Sequence, residues 1–425
     1  MIAFQQKILS DGIRLVTAPL ESTEAVAILV LVGTGGRFEP SDKTGISHFL
    51  EHLFFKGTKK YPSAQKLSRE LDKLGANHNA YTSEETTGFY IQSSANDFEK
   101  SLKLLAEMYL NPIFPEKEVA KEKNIIIEEA NMRRDMPQIH VQVLAQKQIF
   151  PNSPLGEDLI GTPETLEAIS RPDLVNYFDN SYNGASTIVA VCGNPKKFNW
   201  TKEIEEKFRS KSKGIKPECE MFVPSKTPEP VIFETRKVDQ AHLVFSTQLF
   251  SKTDPRRYQA ILLKTILGGG MSSRLFSEIR EKRSLAYYVD TTASWYSDTG
   301  ALVISTGVKT DKTNEAVAVI LDQFRKLAQT GPKAEELKRA KSQLRGQIAL
   351  SLEDSLEIAS YLAEETQYEE KIRQPEEIIS QIQKVTTDQI KNLTRDILVS
   401  AKMGLAVIAP QIDQAGLEKI IKSRS

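Results

Sequence analysis

Five histidines occur in 425 residues, and two of them, His48 and His52, stand four apart around Glu51 in the stretch HFLEHLFFKGT. On a helix that spacing stacks two side chains one above the other. Two imidazoles so placed can grip one zinc ion from a single turn. Glu51 lies three residues from His48 and next to His52, so it can reach a water on the metal without being a ligand. Zinc brings the pKa of such a water near neutrality, and a carboxylate can take its proton as it attacks a carbonyl. H-x-x-E-H is the inverted form of the zinc-peptidase motif. The plainer alternative is two solvated helix histidines beside a glutamate.

A tetrahedral catalytic zinc needs a third protein ligand and an open fourth position. His78, His140 and His242 are dispersed along the chain, so a carboxylate from a second helix is the natural candidate. EKNIIIEEANMRRD offers Glu122, Glu128 and Glu129. Glu122 and Glu129 share one helical face and Glu128 points elsewhere. Spacing alone leaves the ligand open, because a charge-rich helix face is usually just solvated.

The elements that must position these groups can be read from periodicity. Ile46, Phe49, Leu50, Leu53 and Phe54 recur at helical spacing, which makes one apolar stripe with the histidines on a neighbouring face. IRLVTAP, EAVAILVLVG and STIVAVCG read as strands, and HNAYTSEETTGFYIQSS as two short strands around a polar turn. AQKLSRELDKLG is an amphipathic helix with Gly75 as its C-cap. A proline-rich stretch, SKGIKPECEMFVPSKTPEPV, then reads as a linker. After it the order recurs: AHLVFSTQLF as strand, RRYQAILLKTILGGG and SRLFSEIREKRS as helices, AYYVDTTASWYSDTGALVISTGV as two strands. Gly268 to Gly270 read as a helix terminus; a phosphate loop would end in Gly-Lys-Ser/Thr. The expectation is an α+β chain of two homologous α/β-sandwich halves, each a mixed sheet packed by helices. Residues 1–215 and 231–425 form the halves and 216–230 the linker. The second half has no counterpart of the histidine stretch, which confines metal chemistry to the first.

Composition fits a soluble globular protein, with 40% hydrophobic and 26% charged residues. Lys plus Arg and Asp plus Glu are both 56, a balance that gives no footprint for nucleic acid or an anionic membrane. Cys192 and Cys219 are too few for a disulfide scaffold. The N-terminus MIAFQQKILSDGIRL has neither signal-peptide nor transit-peptide character, and the expected setting is the cytoplasm.

HFLEH followed by Glu129, 77 residues beyond His52, resembles the pitrilysin, insulinase and mitochondrial-processing-peptidase family of zinc peptidases. The resemblance covers nearly the whole chain. It implies one zinc per chain on His48, His52 and Glu129, Glu51 as general base, and Glu122 as a carboxylate orienting a ligand histidine. GANHNAYTSEETTGFY looks like the family's substrate-binding edge strand, which maps to Asn79 and Ala80. IREKRSLAYYV is similar to the family's Arg–Tyr pair, Arg280 and Tyr287, implied to hold substrate carbonyls and the oxyanion. The resemblance further implies a metalloendopeptidase working on peptides or unfolded segments in an enclosed chamber. Its two-domain, bacterial-type branch implies a clamshell homodimer whose site is completed across subunits. The alternatives it leaves are a presequence-type processing subunit needing a partner and a non-catalytic structural member of the same fold.

Overall fold

A computed structural model describes residues 1–196, 198–209, 212–224, 230–369, 371–398 and 403–424. The chain divides into two compact units, each drawn from three segments. The first holds Met1–Asn131, Glu157–Glu220 and Ile348–Pro375; the second holds Met132–Gly156, Met221–Gln347 and Glu376–Ser425.

The first unit is built on a six-stranded sheet of β1 (Gln5–Ile8), β2 (Arg14–Pro19), β3 (Ala25–Val32), β4 (Asn77–Thr82), β5 (Thr87–Ser94) and β6 (Thr187–Gly193). The spatial order is β1-β2-β6-β3-β5-β4. β2 and β6 run parallel and every other pair is antiparallel. Burial on both faces explains the unbroken apolar run of β3. Val26, Ile28, Val30 and Val32 face the main core, while Ala27, Leu29 and Leu31 face a second core. A strand covered on both sides has no polar face to alternate with. The second core is closed by Ile358, Ala359, Leu362 and Ala363 of the helix Ser355–Tyr368, which comes from late in the chain.

The second unit holds β7 (Val231–Thr235), β8 (Ala241–Phe250), β9 (Ala286–Trp295), β10 (Thr299–Val308) and β11 (Met403–Ala409), in the order β7-β11-β8-β10-β9. Here β7 and β11 form the parallel pair. Its cover is likewise distant in sequence: Val141 and Ala145 of the helix Pro137–Ile149 pack on Val244, Ala406 and Ile408.

The sequence reading therefore places the strands it names, and omits β1, β7 and β11. It cuts the chain once, whereas the compact units exchange a helix each, because each central sheet needs a second cover. No described residue of 216–224 or 230 is in a helix or strand, and 225–229 of the expected linker lie outside the described residues. Among the described residues no helix is long and apolar enough to cross a membrane.

Candidate metal centre

The helix α1 (Ile46–Leu53) starts from Gly45 in the left-handed region, φ 94°. A Cβ there would stand 2.5 Å from the Ile160 carbonyl oxygen, so glycine is required by space as well as by backbone. The Glu39 carboxylate accepts from the Gly45 and Ser47 amides at 2.7 and 2.8 Å, filling the donors that a helix start leaves open. The predicted stripe of Ile46, Phe49, Leu50, Leu53 and Phe54 is at most 2% exposed. The Phe54 ring lies 4.3 Å from Phe89 and also meets Tyr109, Phe114, Phe178 and Tyr182. This anchoring fixes the rotation of α1 and leaves His48, Glu51 and His52 on its half-buried side.

The helix Glu116–Asp135 brings Glu129 to that side. One ligand atom each from His48, His52 and Glu129 lie within 4.8 Å of one another. Bonds of about 2.1 Å at tetrahedral angles require donors about 3.4 Å apart, which small rotamer adjustments reach from here. Two imidazoles and a carboxylate are also the donor set of a catalytic zinc that keeps one position open. The three residues thus fit the ion. Among the described residues no other group of His, Cys, Asp or Glu converges in this way.

Glu122 is 1% exposed. One of its oxygens is 3.2 Å from His52 Nδ1 and the other 2.8 Å from Lys56 Nζ. A carboxylate only accepts, so Nδ1 carries the proton. His52 Nε2, on the other side of the ring, faces Glu129 Oε2 at 3.7 Å. The three carboxylates left open by spacing are therefore sorted by contact. Glu129 joins the histidines, Glu122 sits behind His52, and Glu128 is exposed.

Glu51 is not part of the converging set. The Thr82 hydroxyl donates to its Oε2 at 2.5 Å, which ties the site to β4. Burial pushes the Glu51 carboxyl above the usual carboxylate range; the Thr82 bond and His52 pull it down, and Glu129 pushes it up. β4 is the edge of its sheet, pairing with β5 alone. Asn79 Oδ1 accepts from the Ala80 amide at 2.9 Å, so that amide is directed away from β5. Arg280 and Tyr287 meet in the second unit. The Arg280 guanidinium lies 4.8 Å from the Phe276 ring and 5.0 Å from the Tyr287 ring. Arg280 belongs to the π-helical turn Phe276–Glu281, and Tyr287, 79% exposed, to the edge strand β9. Sequence reasoning missed Thr82, Lys56 and Glu39, whose roles depend on contacts that no periodicity marks.

Residues 14–163 match the profile described as Insulinase (Peptidase family M16), and residues 168–344 the profile described as Peptidase M16 inactive domain. "Uncharacterized zinc protease YmxG" of Bacillus subtilis is 33% identical over 403 residues, covering 94% of this chain and 97% of that one. A protease from Helicobacter pylori superposes with TM-score 0.89 at 21% identity, over 96% of this chain and 100% of that one. A peptidase M16 inactive domain from Pseudomonas fluorescens gives 0.90 at 20% identity, over 97% and 100%. At such identities the structural likeness is one of fold. With both halves matched and a relative aligned over nearly its full length, the chain belongs to the insulinase family of M16 peptidases.

Proposed function

We propose that this protein is a zinc-dependent endopeptidase for peptides and unfolded segments. The observation that carries the reading is the convergence of His48, His52 and Glu129 beside a carboxylate, Glu51, that stays outside the set. The three would hold the ion, which when bound supplies Lewis acidity, lowering the pKa of water and polarising the scissile carbonyl. Glu51 accepts the proton of the attacking water and returns it to the leaving amine. Thr82 holds one of its oxygens and leaves the other for this exchange. Glu122 keeps the His52 proton on Nδ1, and with it the orientation of the ring.

The open edge of β4 would take an extended substrate as an added strand, with Asn79 and Ala80 as the pairing site. We further propose a homodimer that encloses its substrate in a chamber. In it Arg280 and Tyr287 of one copy would donate to the developing oxyanion of a substrate held by the other. A cytoplasmic setting goes with this reading, supported by two cysteines that form no disulfide.

Strand addition requires extended backbone, so peptides of tens of residues should be cut and the same sequence inside a hyperstable folded domain spared. Incubation with a peptide library, with and without chelator, read by mass spectrometry, tests both halves of the proposal. Cleavage that survives complete zinc removal would refute the metal role. Equal rates on peptide and folded domain would refute the chamber.

A further inference from the structure

The second unit carries a 380 Å³ cavity that the proposed reaction does not use. Its walls are the π-helical turn Phe276–Glu281 with the residues leading into it, the end of the helix Thr313–Thr330 and the start of the helix Ala334–Ser351. Arg274, Lys282, Lys326, Lys333 and Arg339 line it, against the carboxylates of Glu278 and Glu336. Both carboxylates are already matched. Glu336 takes Arg274 in a two-point pair at 2.7 and 2.7 Å, and Glu278 takes Lys282 at 2.6 Å together with Arg283. Lys326 pairs outside the cavity lining with Asp322 at 2.8 Å. Lys333 Nζ and the Arg339 guanidinium form no close ion pair among the described residues; Arg339 donates to the Ser272 carbonyl at 2.8 Å and feels the charge of Glu336, whose partner is Arg274. Ser273 lines the same cavity at 3% exposure, and its Oγ has no hydrogen-bond partner among the described residues.

A concave site with surplus positive charge concentrates the field on whatever enters it. A guanidinium offers paired N–H groups that match the oxygens of a phosphate, and a buried hydroxyl without a partner is costly until an acceptor arrives. We propose that this cavity binds a phosphate-type anion, held by Lys333 and Arg339, with the Ser273 hydroxyl turning about χ1 to donate to it. The volume lies within the range of small-molecule pockets, about 300–1,000 Å³, so a phosphate on a small ester is accommodated as well as the free ion. Ser273 to Lys282 is also the stretch that carries Arg280. An anion bridging it to Lys333 and Arg339 stiffens that stretch, and only the consequence for catalysis rests on the function proposed above.

Calorimetric titration of the full chain with inorganic phosphate and with glycerol 3-phosphate, at ionic strength matched by chloride, tests the site. Saturable binding is expected, at least tenfold weaker in the Lys333→Gln/Arg339→Gln double variant. Both residues are exposed, so the fold should stand. Tighter binding of the ester marks an ester site and equal binding a site for the free ion; each upholds the proposal. His48→Ala must bind as the wild type does, which separates this cavity from the metal centre. Amide exchange across 274–283 should slow with ligand in wild type and not in the double variant. Absence of saturable binding of both probes, unchanged affinity in the double variant, or loss of binding in His48→Ala would each overturn the assignment.

Discussion

Inside the edge strand β1 the first unit's strands run β2-β6-β3-β5-β4; in the second they run β7-β11-β8-β10-β9, and across these five the parallel pair falls at the same place. In each, the third strand of that order leads through helices to the edge strand. The first unit fills this stretch with α1, which anchors one side and leaves two histidines and Glu51 on the other. The second fills it with Arg257–Gly268, an apolar helix that ends against its edge strand. A Cβ on Gly268 would lie 2.1 Å from Thr291 Oγ1 on β9, so the helix end is pressed onto the strand with no room for a ligand set. One element later the π-helical turn brings Arg280 toward Tyr287. A π turn inserts an extra residue and re-aims the side chains that follow, a device common at functional sites. One scaffold thus gathers His48, His52 and Glu129 with Glu51 in the first unit and Arg280 with Tyr287 in the second, and the side chains rather than the topology decide which.

The largest test of that division removes each role in turn. His48→Ala or Glu129→Gln should take zinc from one per chain to almost none. Glu51→Gln should keep the metal and lower turnover by about 10²–10⁴-fold, since it removes a proton acceptor and no ligand. Metal analysis beside peptide cleavage reads both. Loss of zinc in Glu51→Gln together with a fully loaded, active Glu129→Gln would reverse the roles assigned to the two carboxylates.

Arg280→Ala probes the second unit, with an expected loss of about 10²–10³-fold in turnover and zinc unchanged, as for removal of an oxyanion donor. Mixing then asks which copy the pair serves. If it serves the partner, a mixed dimer of His48→Ala and Arg280→Ala contains one complete site. With free random exchange, activity should recover to roughly a quarter of wild type per chain. Co-expressed, differently tagged chains purified as verified mixed dimers make the measurement clean. No activity in them would sink completion across subunits and leave the zinc assignment standing.

Glu122→Gln should be milder. The amide can still face His52, but it no longer offers the Lys56 ammonium a charge or forces the His52 proton onto Nδ1. Removing a partner that orients a ligand weakens metal binding by about 10–100-fold. Competition against a graded series of chelators would show it. Affinity equal to wild type would mean that packing alone holds the ring.

How much of this was legible in the sequence depended on range. The stripe of α1 follows a local period, and all five of its residues are buried as that period requires. The histidine pair is legible for the same reason. Glu129 is a different case, because it meets α1 only through the packing of a second helix, and spacing put Glu122 on the same face without choosing between the two. The run in β3 announces cover on both faces, but nothing in it says that residues 355–368 supply the second cover. β11 is a continuous buried run of Met403–Ala409, easily taken for a helix fragment when read alone. Glu39 is least legible of all, since its partners are backbone amides and backbone leaves no mark on side-chain patterns.

Glu39 gives the smallest effect and the finest comparison, because both units begin the corresponding helix beside an acid. Glu39 is 8% exposed and bonded to two amides of α1. Burial pushes its carboxyl from 4.5 up to about 7, against the opposing pull of the Ser47 and Gly45 bonds. In the second unit Asp254 accepts from the Arg256 amide at 2.8 Å and pairs with the Arg256 guanidinium at 2.7 Å, which holds it below its ordinary range. The signs are opposite. A raised acid binds its proton more tightly when folded, so its contribution is full below pH 4.5 and is lost as pH climbs toward about 7. A depressed acid contributes above its unfolded pKa and loses that contribution only as pH falls further. Between pH 5 and 7.5, then, Glu39 titrates and Asp254 does not. Glu39→Gln replaces the protonated acid by a neutral side chain with the same single carbonyl acceptor, so the two proteins should be of similar stability at pH 5. Toward pH 7.5 wild type loses stability while the variant has no proton to release, so wild type falls below the variant. Asp254→Asn should stay a constant, small distance from wild type, as an exposed pair does. Urea unfolding midpoints of metal-free protein at pH 5, 6 and 7.5 decide the matter. A Glu39→Gln difference that does not change with pH would show that this carboxyl titrates like an ordinary surface acid, and the contrast between the two helix starts would disappear.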